Sequence, residues 1–196
     1  ILEEGYTHQL LERLRHGEID IALVALPFSE PGLVQHDLYE EPFHVALPAR
    51  HPWAKSRQIE TSHLKEETML MLGAGHCLRD QVLEVCPEAA RFSSTNDGIR
   101  RTFEGTSLET IRQMVASGLG ITVIPASALP LKARRDDLIV YRPFVRPAPV
   151  RRVVIVYRRT YARKAAIDAV ADAVRASGLH GVEMLTTPRA SAAFES

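Results

Sequence analysis

Apolar positions along this chain switch repeatedly between a helical period and strand-like runs, and the switches fall at glycines and prolines. From Tyr6 to His16, Leu10, Leu11 and Leu14 form one stripe, which predicts an amphipathic helix with Thr7 as N-cap and Gly17 as its stop. Ile19 to Leu26 is almost continuously apolar, the pattern of a strand buried on both faces. Val34 to Tyr39 and Phe43 to Pro48 read as two further strands. A short helix near Ser62 to Glu67 and a strand from Met69 to Leu72 follow His51-Pro52-Trp53. Leu78, Val82 and Val85 restore the helical period in a segment opening at Cys77, and Pro87 ends it. Residues 87 to 102 lack periodicity and read as a mobile loop. A helix from Ser107 to Ser117 carries Leu108, Ile111, Met114 and Val115, with Gly118 as its cap. Strands follow at Ile121 to Ile124, Leu138 to Tyr141 and Val153 to Tyr157, then a helix from Arg163 to Ser177. Between them, Arg134-Arg135-Asp136-Asp137 reads as a turn and Pro143, Pro147 and Pro149 as a stiff hinge. The last dozen or so residues read as disordered. Alternating strands and helices predict an α/β fold.

Composition narrows the function classes. A chain of 196 residues with 45% hydrophobic content can bury one or two sizeable cores. Its 24 Lys and Arg balance 24 Asp and Glu, and a nucleic-acid-binding domain normally shows a basic excess. With no helix-turn-helix pattern either, this segment is not expected to grip DNA itself. No apolar run approaches the roughly 18 residues of a membrane span. The opening Ile1-Leu2-Glu3-Glu4 has no leader pattern, so a cytoplasmic setting is expected. There thiols are kept reduced, and a disulfide is transient and regulatory.

That setting gives weight to the 2 cysteines, Cys77 and Cys86. Cys77 follows Gly75-His76 and opens the predicted helix, where unpaired N–H groups and the dipole stabilise a thiolate. His76 and Arg79 add donors or positive charge. If the helix runs unbroken to Cys86, the two Cα atoms lie roughly 13 Å apart on opposite faces. A disulfide needs about 7 Å or less. Either these cysteines never pair, or pairing them unwinds the segment. A zinc site is not expected, because structural sites place about two to four residues between cysteines. A hydrolytic Cys–His pair lacks a third, orienting group. No cofactor is implied, and no enzyme.

The run Gly75-His76-Cys77-Leu78-Arg79-Asp80 with a cysteine nine residues after the first resembles the OxyR group, the peroxide-sensing branch of the LysR-type transcriptional regulators. Thr106-Ser107-Leu108-Glu109-Thr110 and Gly118-Leu119-Gly120-Ile121-Thr122-Val123-Ile124-Pro125 carry the same resemblance. Glu3-Glu4-Gly5, Leu10 to Leu14 and Gly17 to Leu23 have general LysR character. The resemblance extends over residues 1 to 177 or so. It implies two Rossmann-like subdomains joined by two crossovers, as in periplasmic binding proteins. The first would comprise residues 1–42 and 148–196, and the second, 43–147, would carry the cysteines. It also implies that a first strand and helix, the winged helix-turn-helix and its linker precede Ile1 in the whole protein, leaving the first subdomain incomplete here.

The resemblance further implies that Cys77 is the peroxidatic thiol and Cys86 the resolving one, forming a reversible disulfide that changes the conformation and the dimer or tetramer arrangement. It places Thr7 in a peroxide pocket and Arg151 near the redox centre. His76 either orients a water or peroxide or holds the loop backbone. Arg79 either supports the thiolate or pairs with Asp80 or Glu84, and Asp80 complements the helix dipole. The implied partners are hydrogen peroxide, a second copy of the chain, promoter DNA and RNA polymerase through the whole protein, and a glutaredoxin- or thioredoxin-type reductant. The alternative is an effector domain that binds a small organic anion, for example at the helix start Thr106-Ser107, with the cysteines incidental.

Overall fold

The computed structural model describes residues 1–87, 103–105, 107–131 and 138–185. The turn expected at 134–137, most of the loop expected at 87–102 and the last eleven residues, 186–196, lie outside these. The chain divides into two compact units, Ile1–Glu41 with Arg151–Ser196, and Pro42–Val150. It thus crosses twice, one residue before and three residues after the points read from the sequence.

In the first unit, helix α1 (Thr7–His16) precedes strand β1 (Ile21–Ala25). Gly17, at φ 79°, donates to the carbonyls of Arg13 and Leu14, the left-handed ending that glycine allows. The N-cap is Tyr6, extended and without a side-chain cap bond, so Thr7 is the first helical residue and not the cap. Strand β1 pairs antiparallel with β7 (Val150–Arg158) from Ile21 opposite Tyr157 to Ala25 opposite Val153. The opening of β2 (Leu33–Pro48) lies on the other side of β7, and the two-residue β8 (Glu183–Met184) pairs with β2.

Strand β7 explains the layering of this unit. Val154 and Val156 meet Leu11 and Leu14 of α1, whereas Ile155 meets Ile167 and Ala171 of α4 (Lys164–Ala176). The run buried on both faces is therefore Val153–Val156. β1 ends the strand order, and its Leu23 stays 47% exposed, against the double burial expected of it.

The second unit begins inside β2, which continues through Pro42 as one strand where two were expected. Proline fits an extended backbone wherever no ladder N–H is demanded. At this point β2 leaves its partners in the first unit and takes up β5 (Thr122–Pro125) and β6 (Ile139–Pro143), both antiparallel. The helix expected near residue 62 is a 3₁₀ turn, Thr61–Glu66. Strand β3 (Leu70–Leu72) pairs parallel with β4 (Phe103–Gly105). Its side chains alternate. Met69 and Met71 join the core that holds α2 (Cys77–Val85), and Leu70 and Leu72 join Ile111 and Val115 of α3 (Leu108–Ala116). Ser107 caps α3 by accepting the Thr110 N–H at 3.1 Å.

Candidate functional site

Gly75 turns the chain at φ 93°, and extended His76 becomes the N-cap of α2 without capping it through its side chain. Cys77 is consequently the first helical residue. Its side chain is half-buried. Asp80 stands exposed in the same turn, as a dipole-complementing carboxylate should.

Arg79 reaches back across the turn, and its Nη1 donates to the Leu72 carbonyl at 3.1 Å. This ties the first turn of α2 to the end of β3. His76 is half-buried, and its carbonyl accepts the Arg79 N–H at 2.9 Å.

At the other end, Cys86 is the C-cap and its N–H still donates to Val82 at 2.9 Å. The helix is unbroken from Cys77 to Val85, so the separation of roughly 13 Å applies. Neither cysteine is in a disulfide; Cys77 is half-buried and Cys86 fully buried. Cys86 is 0% exposed inside an apolar cluster with Met69, Met71, Val82 and Phe144. One end of the helix thus presents a half-buried thiol, and the other hides a thiol in the core.

The remaining expected site residues, Thr7 and Arg151, belong to the other unit. Thr7 is half-buried in the first turn of α1. Arg151 donates through Nε to Glu41 at 2.6 Å, and Glu41 is 0% exposed. Glu41 was not singled out in the sequence, where a glutamate in Glu40-Glu41 beside a proline gives no sign of complete burial. Next to this pair, Arg152 binds Asp37 at 3.0 Å and Glu40 more closely. Among the described residues, no group of three or more His, Cys, Asp or Glu side chains could hold a metal ion. No helix there is long and apolar enough to cross a membrane.

A family model described as the LysR substrate binding domain matches residues 1–178. The chain is 39% identical over 175 residues to the DNA-binding transcriptional dual regulator OxyR of Escherichia coli K12, covering 89% of this chain and 55% of that protein. It therefore spans about half the length of such relatives. Among solved structures, the reduced form of the OxyR regulatory domain from Pseudomonas aeruginosa is 43% identical, with a TM-score of 0.77 over 90% of this chain and 82% of that one. A reduced form of OxyR from N. meningitidis is 42% identical, with a TM-score of 0.81 over 94% and 83%.

Proposed function

From a chain that belongs to the LysR substrate binding domain family, and within it to the OxyR regulatory domains, we propose a hydrogen-peroxide sensor that controls transcription through the whole protein. The observation that carries this reading is the asymmetry of α2, with a half-buried thiol at its N-terminus and a fully buried one nine residues on at its C-cap. The Cys77 thiolate attacks one peroxide oxygen, the O–O bond breaks, and hydroxide leaves, taking up a proton as water. The resulting sulfenic acid condenses with the Cys86 thiol, forming the disulfide and releasing a second water. Two thiols are oxidised by two electrons and one peroxide is reduced to two waters.

Cys86 cannot reach Cys77 while α2 is intact, so the bond records a rearranged segment. Strain in that arrangement keeps the disulfide easy to reduce, which suits a signal reset by a glutaredoxin- or thioredoxin-type reductant. The two units serve as regulatory subdomains I and II of a homodimeric or homotetrameric cytoplasmic regulator acting with promoter DNA and RNA polymerase. The chain is oxidised once per reduction and does not turn over as a peroxidase. In this reading His76 supports the peroxide site, Arg79 fixes the helix start, and Asp80 balances the dipole.

One equivalent of hydrogen peroxide followed by intact-mass analysis tests the proposal. Loss of two hydrogens is expected in the unmodified chain and no oxidation in Cys77→Ser. In Cys86→Ser, a dimedone-type probe should trap a sulfenic acid at Cys77. No mass change in the unmodified chain favours the organic-anion effector, and faster labelling of Cys86 reverses the two roles.

A further inference from the structure

The polar side chains of α2 are distributed unequally around the helix. Asp80 and Glu84 are exposed, and Arg79 is half-buried and reaches back to the Leu72 carbonyl. Gln81, by contrast, is only 3% exposed. At about 100° per residue, Gln81 stands about 40° around the helix from Cys77, toward Val82 and the core, while Arg79 stands about 160° away on the other side. Cβ atoms one turn apart are roughly 5–6 Å from each other, and long helical side chains lean back over the preceding turn. That geometry brings the Gln81 carboxamide within reach of the Cys77 sulfur. A carboxamide is costly to bury, and an apolar side chain would pack beside Val82 equally well. What the amide adds is a pair of hydrogen-bond donors that carry no charge.

We propose that Gln81 is a catalytic residue of the peroxide reaction, its carboxamide donating an N–H to the oxygen that Cys77 displaces. The inference rests on the redox reading above and deepens it. As the S–O bond forms and the O–O bond breaks, negative charge gathers on the departing oxygen, which leaves as hydroxide and takes its proton from water. A donor already fixed in a buried place stabilises that charge without having to reorganise. Gln81 keeps its own protons throughout.

The test compares two reactions of the same sulfur in a Cys86→Ser background. One is sulfenic acid formation by hydrogen peroxide, and the other is alkylation by iodoacetamide, whose leaving iodide has no use for such a donor. Gln81→Met keeps the length and burial of the side chain but removes the donor. Its peroxide rate constant should fall by about 10²-fold, the usual cost of one lost donor to a developing oxyanion, while alkylation stays within about twofold. Gln81→Leu should behave alike, and it decides the matter if Gln81→Met does not melt as a folded chain. A peroxide rate reduced less than about threefold overturns the inference, as does an equal fall in both rates, which marks a structural role. Loss of folding in both variants also overturns it, because Gln81 then serves the core and not the chemistry. If Cys77 alkylates with Gln81 in place but does not react with peroxide, it is the redox reading that fails.

Discussion

Replacing Arg151 with methionine tests its pairing with a buried carboxylate. Its Nε lies 2.6 Å from Glu41, whose side chain is 0% exposed while that of Arg151 is 17% exposed. Removing one member of a buried ion pair costs about 3–5 kcal/mol, whereas replacing both members together is often close to neutral. In a chain of this size each 1 kcal/mol moves the melting temperature by roughly 2–4 °C. Arg151→Met should therefore lower the melting temperature by roughly 6–20 °C, and adding Glu41→Leu should restore most of the loss. Differential scanning fluorimetry of the two single variants and the double variant reads the coupling. A loss below about 1 kcal/mol in Arg151→Met, or no recovery in the double variant, would refute the buried-pair assignment.

Further substitutions test the core and its charge states. A Cβ on Gly120 would stand 2.4 Å from the Thr68 carbonyl oxygen, which accepts the Ile121 N–H at 2.9 Å and cannot shift without breaking that bond. Gly120→Ala should cost about 1–3 kcal/mol, seen as a lower denaturation midpoint. Cys86→Ser replaces a fully buried thiol with a more polar group and should lower the stability of the reduced form more than Cys77→Ser at a half-buried position. Burial holds the pKa of His44 below its ordinary 6.5, and a backbone hydrogen bond with Pro42 opposes this in part. Its neutral form is favoured by folding, so its contribution is complete above pH 6.5 and is lost as pH falls below that, where the unfolded chain takes up the proton first. His44→Leu should flatten the decline of melting temperature on acidification, and an unchanged slope would contradict this.

What was legible in the sequence was local. The start of α2 at Cys77 and its end before Pro87 follow from apolar spacing and from the backbone limits of the residue before proline. The Gly17 and Gly118 endings follow from the left-handed backbone at φ 79° and 84°. Contacts between distant segments left no local mark. Cys86 is buried because Met69, Met71 and Phe144 arrive around it from other elements. Arg151 meets a glutamate 110 residues away. Pro42 read as a break, yet β2 runs through it because the strand changes partners there. Thr7 read as a cap by residue type, but Tyr6 takes the cap position by backbone conformation. Leu23 read as buried because its run is apolar, although a strand at the end of the order has less to cover it. Two-residue β8 carries no pattern long enough to read.

On the proposed mechanism, joining Cys77 and Cys86 unwinds α2. Hydrogen exchange read by mass spectrometry on the reduced chain and on the same chain with the disulfide verified by mass tests it most directly. A helix beginning at Cys77 holds the amides of residues 81–86, the last being the Cys86 N–H on Val82 at 2.9 Å. Those amides should be protected in the reduced chain and should lose protection on oxidation, with altered exchange across residues 107–117, because Leu78 of α2 also packs on the cluster that holds α3. Unchanged protection over 81–86 with the disulfide present would contradict the account, because the bond would then have formed without moving the helix.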